Sequence, residues 1–367
     1  MVDRPDHPYR DVGDHQRWHR AVTWAPPGGL DPVTATRFRI GPDDLIGTMG
    51  SCFAQHLSRH LARSGLAYFV AETAPEGTAV DDAVRRQYGT YSARYGNVYT
   101  VAQAVQLFRR AYGDLVPSEG AWPRGGVLVD PFRPRVEPDG FADRASLDED
   151  RARHLGAVRE VFERSSVLVF TLGLTEAWRS RADGSVFATA PGVDGGSWDP
   201  DRYEFVNYGV DEVRSDLAEF CELVRSVNPT VRILLTVSPV PLVATYEDRH
   251  VLVSTTVSKA VLRVAADDAL ARFDFVDYFP SYEMITSATA IADPFEPDRR
   301  SVADLAVAHV MRVFTHHYVE GRAWSSPSSG TLGAAAARAM STAAADYPVI
   351  CDEEAIAAAM DASSGPP

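Results

Sequence analysis

Two adjacent nucleophilic side chains, Ser51 and Cys52, follow Gly50 in the stretch 45–54, which reads LIGTMGSCFA. The apolar run before Gly50 has the length of a buried strand, and the residues after Cys52 have the spacing of an amphipathic helix. A tight turn between these elements would place both side chains at the N-terminal end of the helix. Backbone N–H groups and the helix dipole stabilise negative charge there and lower the pKa of a thiol. The stretch therefore predicts nucleophilic chemistry through sulfur or oxygen.

Alternating strand and helix patterns must position these side chains. Apolar runs of strand length lie near residues 46, 68, 168, 234 and 275, with helical patterns between them. Such alternation predicts an α/β fold with a parallel sheet and right-handed crossovers. We expect five strands in the flavodoxin-like order 2-1-3-4-5. Ligands of such open sheets bind at the carboxyl ends of the strands.

Capping signals set the expected starts and ends of the helices. Gly65 is expected to end the helix that follows Cys52, and Thr100 is expected to cap a helix over 101–112. Ser146 and Glu149 form a capping-box pattern that predicts a helix running to about residue 164. The stretch 117–143 is dense in Pro and Gly and is interpreted as an insertion or lid.

The chain divides into three predicted parts. Residues 1–44 are polar and have little periodicity, so we expect an irregular N-terminal arm. Residues 45–322 hold the strand and helix patterns and are expected to form one α/β domain. Residues 323–367 are interpreted as a linker, around 325–330, followed by an Ala-rich tail to which no chemistry is assigned.

Composition excludes several functional classes. The chain has 36 Lys and Arg against 50 Asp and Glu, a net charge of −14, so nucleic acid and anionic membranes are poor partners. No run of about 18 apolar residues is present, and the N-terminus lacks the apolar core of a secretory signal. Three cysteines without a CxxC pair indicate neither a disulfide framework nor a metal site. A cytoplasmic location is expected.

Cofactor and metal motifs are not found in the sequence. The pattern HExxH, the phosphate-binding P-loop and the dinucleotide motif GxGxxG do not occur. His7, His15 and His19 lie in the irregular arm and are interpreted as surface residues. Cys221 falls on the apolar face of a predicted helix and is interpreted as a core thiol. We expect no cofactor and no metal, and a small-molecule or carbohydrate acyl substrate as the partner; the sequence does not address the oligomeric state.

Several ordered blocks carry a resemblance to a known family. The chain resembles the GSCFA family over roughly residues 35–320, and that family is similar to the SGNH (GDSL-like) hydrolases. The resemblance implies a three-layer, flavodoxin-like fold with insertions and the chemistry of esterases, lipases and acyltransferases, but no particular substrate. The matching blocks are GSCFA at 50–54, GNVYT at 96–100, FTLGLTEAW at 170–178, SPVPL at 238–242, HVLVSTT at 250–256 and YFPSYE at 278–283.

The resemblance leaves the identity of the nucleophile open. The superfamily pattern Gly-x-Ser, laid on Gly50-Ser51-Cys52, puts Cys52 at the nucleophile's position. The alternative makes Ser51 the nucleophile and Cys52 a small packed residue. A third interpretation gives neither residue a catalytic role, with Ser51 as a helix N-cap and Cys52 as an inert buried thiol.

Two further blocks imply groups that stabilise an oxyanion. Gly96 matches the glycine whose N–H serves this purpose in the superfamily, and its neighbour Asn97 is expected to orient the same oxygen. The block Gly-x-Asn-Asp corresponds to residues 173–176, where Thr175 keeps a donor and Glu176 keeps a carboxylate as a supporting group.

The last superfamily block departs from its pattern. Asp-x-x-His corresponds to Asp298 and Ser301, and serine cannot act as a general base near neutral pH. Asp298 is retained as a supporting residue. His250 is the leading substitute for the missing histidine, ahead of His309.

These blocks together predict an acyl hydrolase or acyltransferase that forms an acyl-enzyme on Cys52 or Ser51. The expected substrate is an ester or thioester, either a carbohydrate O-acyl group or a carrier-bound acyl group. The alternative is a catalytically impaired SGNH-fold module that binds a sugar or acyl ligand.

Overall fold

Apolar strands and the helices between them account for most of the structure. The computed structural model describes residues 7–26, 29–287, 293–321 and 347–364. Within these ranges the strands, β1 to β9 in chain order, are Ile46–Gly50, Trp122–Arg124, Val127–Val129, Val167–Leu172, Glu176–Ser180, Val186–Phe187, Tyr203–Asn207, Arg232–Val237 and Val276–Tyr278. The α-helices, α1 to α9, are Ala54–Arg63, Val80–Arg85, Val101–Tyr112, Arg144–Arg164, Val210–Val227, Val251–Arg272, Ser281–Thr286, Asp304–Tyr318 and Glu353–Ser364.

The central sheet is parallel and follows the spatial order β1-β4-β8-β9. Its register pairs Gly50 with Thr171 and Thr171 with Thr236, so the carboxyl ends of β1, β4 and β8 meet at one edge. The predicted α/β class with a parallel sheet is confirmed, and the four strands keep the expected relative order.

The expected strand near residue 68 is reduced to a single parallel bridge between Ile46 and Tyr68. The reason lies in the neighbouring hydrogen bonds. The Thr48 N–H donates to the Ser92 hydroxyl at 2.9 Å, and the Ala71 N–H donates to the Ser92 carbonyl at 2.8 Å. Because Ser92 takes the backbone donors that would extend the ladder, the sheet has four strands within the described residues.

Each face of the sheet is covered by helices, because successive side chains of the buried strands point to opposite faces. Phe170 and Leu235 pack toward α3, α4, α5 and α6. Val169 and Leu234 pack on the other face toward α1, α7 and α8. The result is three layers, with one apolar cluster on each face of the sheet.

Two insertions add small antiparallel sheets beside this edge. The stretch 117–143 contains the β2–β3 hairpin, and β5 pairs with β6 and β7 on either side. Trp122, Phe132, Phe187 and Tyr203 join the two insertions in an apolar cluster of their own. The expected insertion is therefore a packed element.

The helix caps test the capping predictions. The Thr100 hydroxyl accepts from the Gln103 N–H at 3.2 Å, as the sequence predicts. The predicted capping box at Ser146 is wrong, because Asp143 caps α4 and its carboxylate accepts from the Ser146 N–H at 2.8 Å.

The linker predicted at 325–330 lies outside the described residues. In the described ranges, no helix combines the length and the apolar character needed to cross a membrane.

Gly50 joins β1 to the turn that carries Ser51 and Cys52, and no other residue fits there. Its φ is +130°, and a Cβ atom would lie 2.3 Å from the Thr171 carbonyl oxygen and 2.7 Å from the Thr171 nitrogen. The close approach lets the Ser51 N–H donate to the same carbonyl at 3.0 Å.

We expect Gly50→Ala to lower the free energy of unfolding by about 3 kcal/mol or more, because the added methyl group meets rigid backbone. Urea denaturation followed by circular dichroism measures this loss. Gly65→Ala is the matched control: its φ is +79°, and no atom lies within 4 Å of the added Cβ. It should cost only about 1 kcal/mol, the conformational term alone. Equal losses in the two variants would contradict the steric argument.

Candidate active site

Ser51 and Cys52 lie in the turn between β1 and α1, both almost fully buried, with exposed fractions of 2% and 3%. The turn is fixed by its backbone: the Ser51 carbonyl accepts from the Tyr91 hydroxyl at 3.0 Å and from the Ala54 N–H at 2.8 Å. The Ser51 hydroxyl has no hydrogen-bond partner within the described residues. The interpretation of Ser51 as a side-chain helix cap is therefore wrong.

Backbone contacts tie three of the family blocks to this turn. The Val98 N–H donates to the Gly50 carbonyl at 2.8 Å, and the Gly173 N–H donates to the Tyr99 carbonyl at 3.0 Å. A Cβ atom on Gly173 would lie 3.0 Å from the Cβ of Ser51. The first, second and third blocks thus meet at the carboxyl end of the sheet, as the sequence predicts.

The thiol of Cys52 lies beside a second thiol, that of Cys351, which has the largest effect on its pKa. Cys351 belongs to the segment that precedes α9 and is itself only 5% exposed. Its sulfur lies 3.7 Å from the Tyr99 hydroxyl and 3.9 Å from a carboxylate oxygen of Glu353. Cys351 and burial together raise the pKa of Cys52 well above its usual value, while Arg300 acts in the opposite direction.

Two cationic side chains face the paired thiols. Lys259 on α6 is 2% exposed, and its Nζ donates to the Gly173 carbonyl at 2.5 Å. Burial lowers the pKa of Lys259 to about 8, although Glu353 and Cys52 act to raise it. Arg300 donates to Glu353 at 3.2 Å and to the Pro241 carbonyl at 3.2 Å. An amine with this pKa takes up and releases protons near neutral pH.

Asn97, an expected oxyanion residue, is 2% exposed and is oriented by its neighbours. Its Oδ1 accepts from the Tyr91 hydroxyl at 2.5 Å and from Gln55 Nε2 at 3.3 Å. Its Nδ2 donates to the Ile350 carbonyl at 3.1 Å, and Gln55 Nε2 donates to the same oxygen at 2.6 Å. Two amide donors therefore converge on one carbonyl oxygen, which is the arrangement that stabilises an oxyanion.

Gly96 supplies the left-handed backbone that turns the chain into Asn97. Its φ is +69°, and the position of a Cβ there lies 4.0 Å from the Asp352 carboxylate. Gly96 and Asn97 thus contact the C-terminal segment that also carries Cys351.

Thr175 and Glu176 hold loops close to the third block. The Thr175 hydroxyl donates to Asn207 Oδ1 at 2.7 Å, so its single proton is already used in a hydrogen bond. Glu176 accepts from the Thr245 hydroxyl at 2.6 Å and from the Tyr246 N–H at 3.2 Å. Its half-buried position raises the pKa of its carboxyl group. Thr175 thus ties the third block to the end of β7, and Glu176 ties it to the loop before α6.

The histidines expected to act as a base have other partners. His250 caps α6, with its Nδ1 accepting from the Leu252 N–H at 3.2 Å, and its side chain is exposed. His309 is buried against the Leu30 carbonyl, 2.8 Å from its Nε2.

Asp298 accepts from the Ser301 hydroxyl at 2.6 Å and from the Arg300 N–H at 2.9 Å. This block positions Arg300, which reaches Glu353.

The sequence reasoning missed Lys259, although a signal was present. Lys259 is the sole lysine among the 367 residues, and the other 35 basic side chains are arginines. Arginine stays charged in proteins, whereas a buried lysine can become neutral. The isolated lysine therefore marks a position where a titratable amine differs from a permanent cation.

A comparison with protein-family models identifies the family of the chain. The model described as the GSCFA family matches residues 45–314. The chain belongs to the GSCFA family. No match was found among curated proteins.

The comparison with solved structures gives a distant similarity. The chain is similar to a mutant of Axe2, an acetyl-xylooligosaccharide esterase from Geobacillus Stearmophilus, at 12% identity and a TM-score of 0.32. The match covers 78% of this GSCFA chain and 100% of the esterase. A similarity at this level indicates neither a shared substrate nor a shared mechanism.

Among the described residues, no group of three or more His, Cys, Asp and Glu side chains is arranged to hold a metal ion.

The single lysine allows its pKa to be measured directly. Protein labelled with ¹³C,¹⁵N-lysine should give one side-chain signal that titrates near pH 8, where burial places the pKa of Lys259. In urea the same signal should titrate near the ordinary value of about 10.4. A folded-state midpoint close to the value in urea would contradict the buried position.

The same shift predicts a pH-dependent difference in stability. Because the pKa of Lys259 is lower in the folded state, the unfolded chain binds more protons between pH 8 and about pH 10.4. The unfolding free energy of the wild type should therefore rise relative to that of Lys259→Met over this range. Below pH 8 the difference should be constant and least favourable to the wild type. Chemical denaturation at several pH values measures it.

Proposed function

We propose that this GSCFA protein is an acyl hydrolase or acyltransferase that forms an acyl-enzyme on Cys52. The observation that carries the proposal is the placement of the Cys52 thiol at the carboxyl end of β1 beside the chain's sole lysine and Arg300. We further propose that the sheet is of the five-stranded SGNH type, with residues 66–70 as a first-edge strand reduced to its bridge on Ile46.

Cys52 is favoured over Ser51 because of its electrostatic neighbours. Arg300 acts to lower the pKa of Cys52, and Cys52 in turn acts to raise the pKa of Lys259. The Ser51 hydroxyl has no hydrogen-bond partner within the described residues, and an alcohol needs a base within hydrogen-bond reach. Ser51 is the alternative nucleophile, and its variant is the matched control below.

Lys259 takes the base role expected of His250. In its neutral form the amine accepts the proton of the Cys52 thiol, which leaves a thiolate beside an ammonium group. Arg300 supplies a permanent charge that stabilises the same thiolate. His250 is committed to the cap of α6, so the proposal gives it no part in proton transfer.

The acyl transfer then proceeds in two steps, acylation of Cys52 and deacylation. The thiolate attacks the carbonyl carbon of the substrate, the C–S bond forms, and the carbonyl π electrons move to oxygen. When this intermediate collapses, the bond to the leaving group breaks and Lys259 returns the proton to that group. Water or an alcohol next attacks the thioester, loses its proton to Lys259 and releases the acyl product with the Cys52 thiol restored.

The amide groups of Asn97 and Gln55 are the proposed donors to the developing oxyanion. They already converge on one carbonyl oxygen, that of Ile350. Gly96 positions Asn97 through its left-handed backbone, and Thr175 contributes by holding the third block in place. We propose an ester or thioester as the substrate, either a carbohydrate O-acyl group or a carrier-bound acyl group.

Acylation can be tested by mass spectrometry. After brief exposure to an activated acetyl ester or thioester at pH 8, tryptic peptide 40–59 should carry one acetyl group. Cys52→Ala should lose this label and Ser51→Ala should retain it. Lys259→Met should acquire it about 100-fold more slowly, since general base catalysis contributes factors of about 10² to 10⁴.

Cys221→Ala is the control for loss of a thiol elsewhere. Cys221 is fully buried in the apolar core on α5, and its removal should leave the labelling rate unchanged. Full labelling of Cys52→Ala together with loss in Ser51→Ala would reassign the nucleophile to Ser51. Saturable ligand binding with no label in any form would favour the catalytically impaired binding module.

A further inference from the structure

The C-terminal segment 347–353 lies across the candidate site and is held there by side chains of the α/β domain. Ile350 exchanges two hydrogen bonds with Gln55: its N–H donates to Oε1 at 2.9 Å and its carbonyl accepts from Nε2 at 2.6 Å. Arg135 donates to the Cys351 carbonyl at 3.0 Å, and the Asp352 N–H donates to the Tyr99 hydroxyl at 3.0 Å. These bonds fix the backbone on both sides of Cys351.

The segment is also held by charge. Glu353 accepts from Arg300 at 3.2 Å and from the Val243 N–H at 3.3 Å, and Asp352 accepts from Asn97 Nδ2 at 2.9 Å. Both carboxylates are at least nine-tenths buried. Ionised side chains are costly to bury without partners, so these contacts define one docked position.

The docked position brings Cys351 onto Cys52. The side chains of Cys52 and Cys351 act on each other's ionisation, and the Tyr99 hydroxyl lies 3.7 Å from the Cys351 sulfur. Cys52 and Tyr99 lower the pKa of Cys351, whereas the pKa of Cys52 is raised. Cys351 is therefore the more acidic thiol of the pair.

We infer that Cys52 and Cys351 form a reversible disulfide when the protein meets a peroxide, and that this bond fastens the segment 347–353 over the candidate site. The inference rests on the docked geometry and not on acyl transfer. It assigns a covalent modification to a part of the chain that the sequence patterns leave without chemistry.

The oxidation balances with hydrogen peroxide as the two-electron oxidant. The Cys351 thiolate attacks one peroxide oxygen, the O–O bond breaks, and a sulfenic acid and hydroxide form. The Cys52 sulfur then attacks the sulfenic sulfur, the S–S bond forms, and the Cys52 proton leaves with the displaced oxygen as water. Two thiols and one peroxide give one disulfide and two waters.

The product would block the site in two ways. The nucleophile proposed above would be consumed in the S–S bond, and the Ile350 carbonyl would stay in the place of a substrate carbonyl. Reduction by a thiol would restore both cysteines and allow the segment to leave. Oxidation would thus stop turnover reversibly, and the disulfide would protect Cys351 from sulfinic acid formation.

The test uses the full chain, reduced and then exposed to graded hydrogen peroxide or, in parallel, to diamide. Remaining thiols are alkylated in denaturant, and the protein is digested with trypsin without reduction. The expected product is peptide 40–59 joined to peptide 339–367 with the loss of two hydrogens, reversed by dithiothreitol. Peptide 215–225, which carries Cys221, should remain alkylated because Cys221 is buried in the apolar core.

Three variants make the result specific. An equimolar mixture of Cys52→Ser and Cys351→Ser should give no joined peptide, since the bond is formed within one chain. Cys52→Ser alone should accumulate sulfinic acid at Cys351, because the Cys351 sulfenic acid then has no second thiol to react with. Arg135→Ala removes the hydrogen bond to the Cys351 carbonyl and should slow the cross-link several-fold.

Individually alkylated or individually oxidised Cys52 and Cys351 in the wild type, with no joined peptide at any dose of either oxidant, would overturn the inference. A joined peptide in the mixture of variants would overturn it too, because it would show bonding between chains. The acetyl label described above is read on reduced protein. Failure of acylation and failure of disulfide formation are therefore separate results.

Discussion

The close approach of Gly50 to the backbone of Thr171 is the constraint on which the site depends. β1 ends with its backbone against β4, and the Ser51 N–H continues the pairing into the turn through its bond to the Thr171 carbonyl. This contact directs Cys52 over the edge of the sheet. Val98 and Gly173 then bind the same region through their N–H groups, so that three distant parts of the chain share one rigid junction. A side chain at position 50 would separate them.

A buried ionic network supports the loop that carries Asn97. Arg94 is 1% exposed and donates to Asp150 at 3.1 Å, while Glu72 accepts from the Arg94 N–H at 2.7 Å and from His154 at 2.7 Å. His154 and the arginines lower the pKa of Glu72 to about 2, against the opposing effect of burial. Removing one member would leave an uncompensated buried charge, so the network specifies one position for the loop. Precise placement of an amide donor requires that kind of rigidity.

The predictable parts of the structure are those set by local pattern. The apolar run before Gly50 and the cap at Thr100 follow from periodicity and capping. The relative order of the four strands follows from the expected flavodoxin-like order. The strand near residue 68 could not be excluded from sequence, since its loss depends on hydrogen bonds made by Ser92. The same limit applies to His250: its residue type suits a base, but its position at the start of α6 commits it to a cap.

The contribution of the C-terminal segment lay beyond any local pattern. Cys351 is separated from Cys52 by about 300 residues, and its Ala-rich surroundings have the composition of a tail. The segment is identified by the side chains that donate hydrogen bonds to it. These donors come from four separate parts of the domain: Gln55, Asn97, Arg135 and Arg300. Each is a polar group that would be left without this partner if the segment departed. Under the proposed function, a substrate that replaces the segment must therefore offer a carbonyl oxygen and negative charge in the same places.

The lysine at position 259 determines whether the cation beside the thiols can lose its proton. An arginine there would hold a permanent charge beside the thiols and could not accept a proton. A buried amine whose pKa lies near 8 can be neutral or charged at little cost, so it can respond to the ionisation of Cys52. Arg300 meanwhile keeps its charge and its bond to Glu353. In the proposed mechanism the pair separates two tasks: Arg300 stabilises the thiolate and Lys259 exchanges the proton. Only a lysine can perform the second task, in a chain whose other 35 Lys and Arg positions all hold arginine.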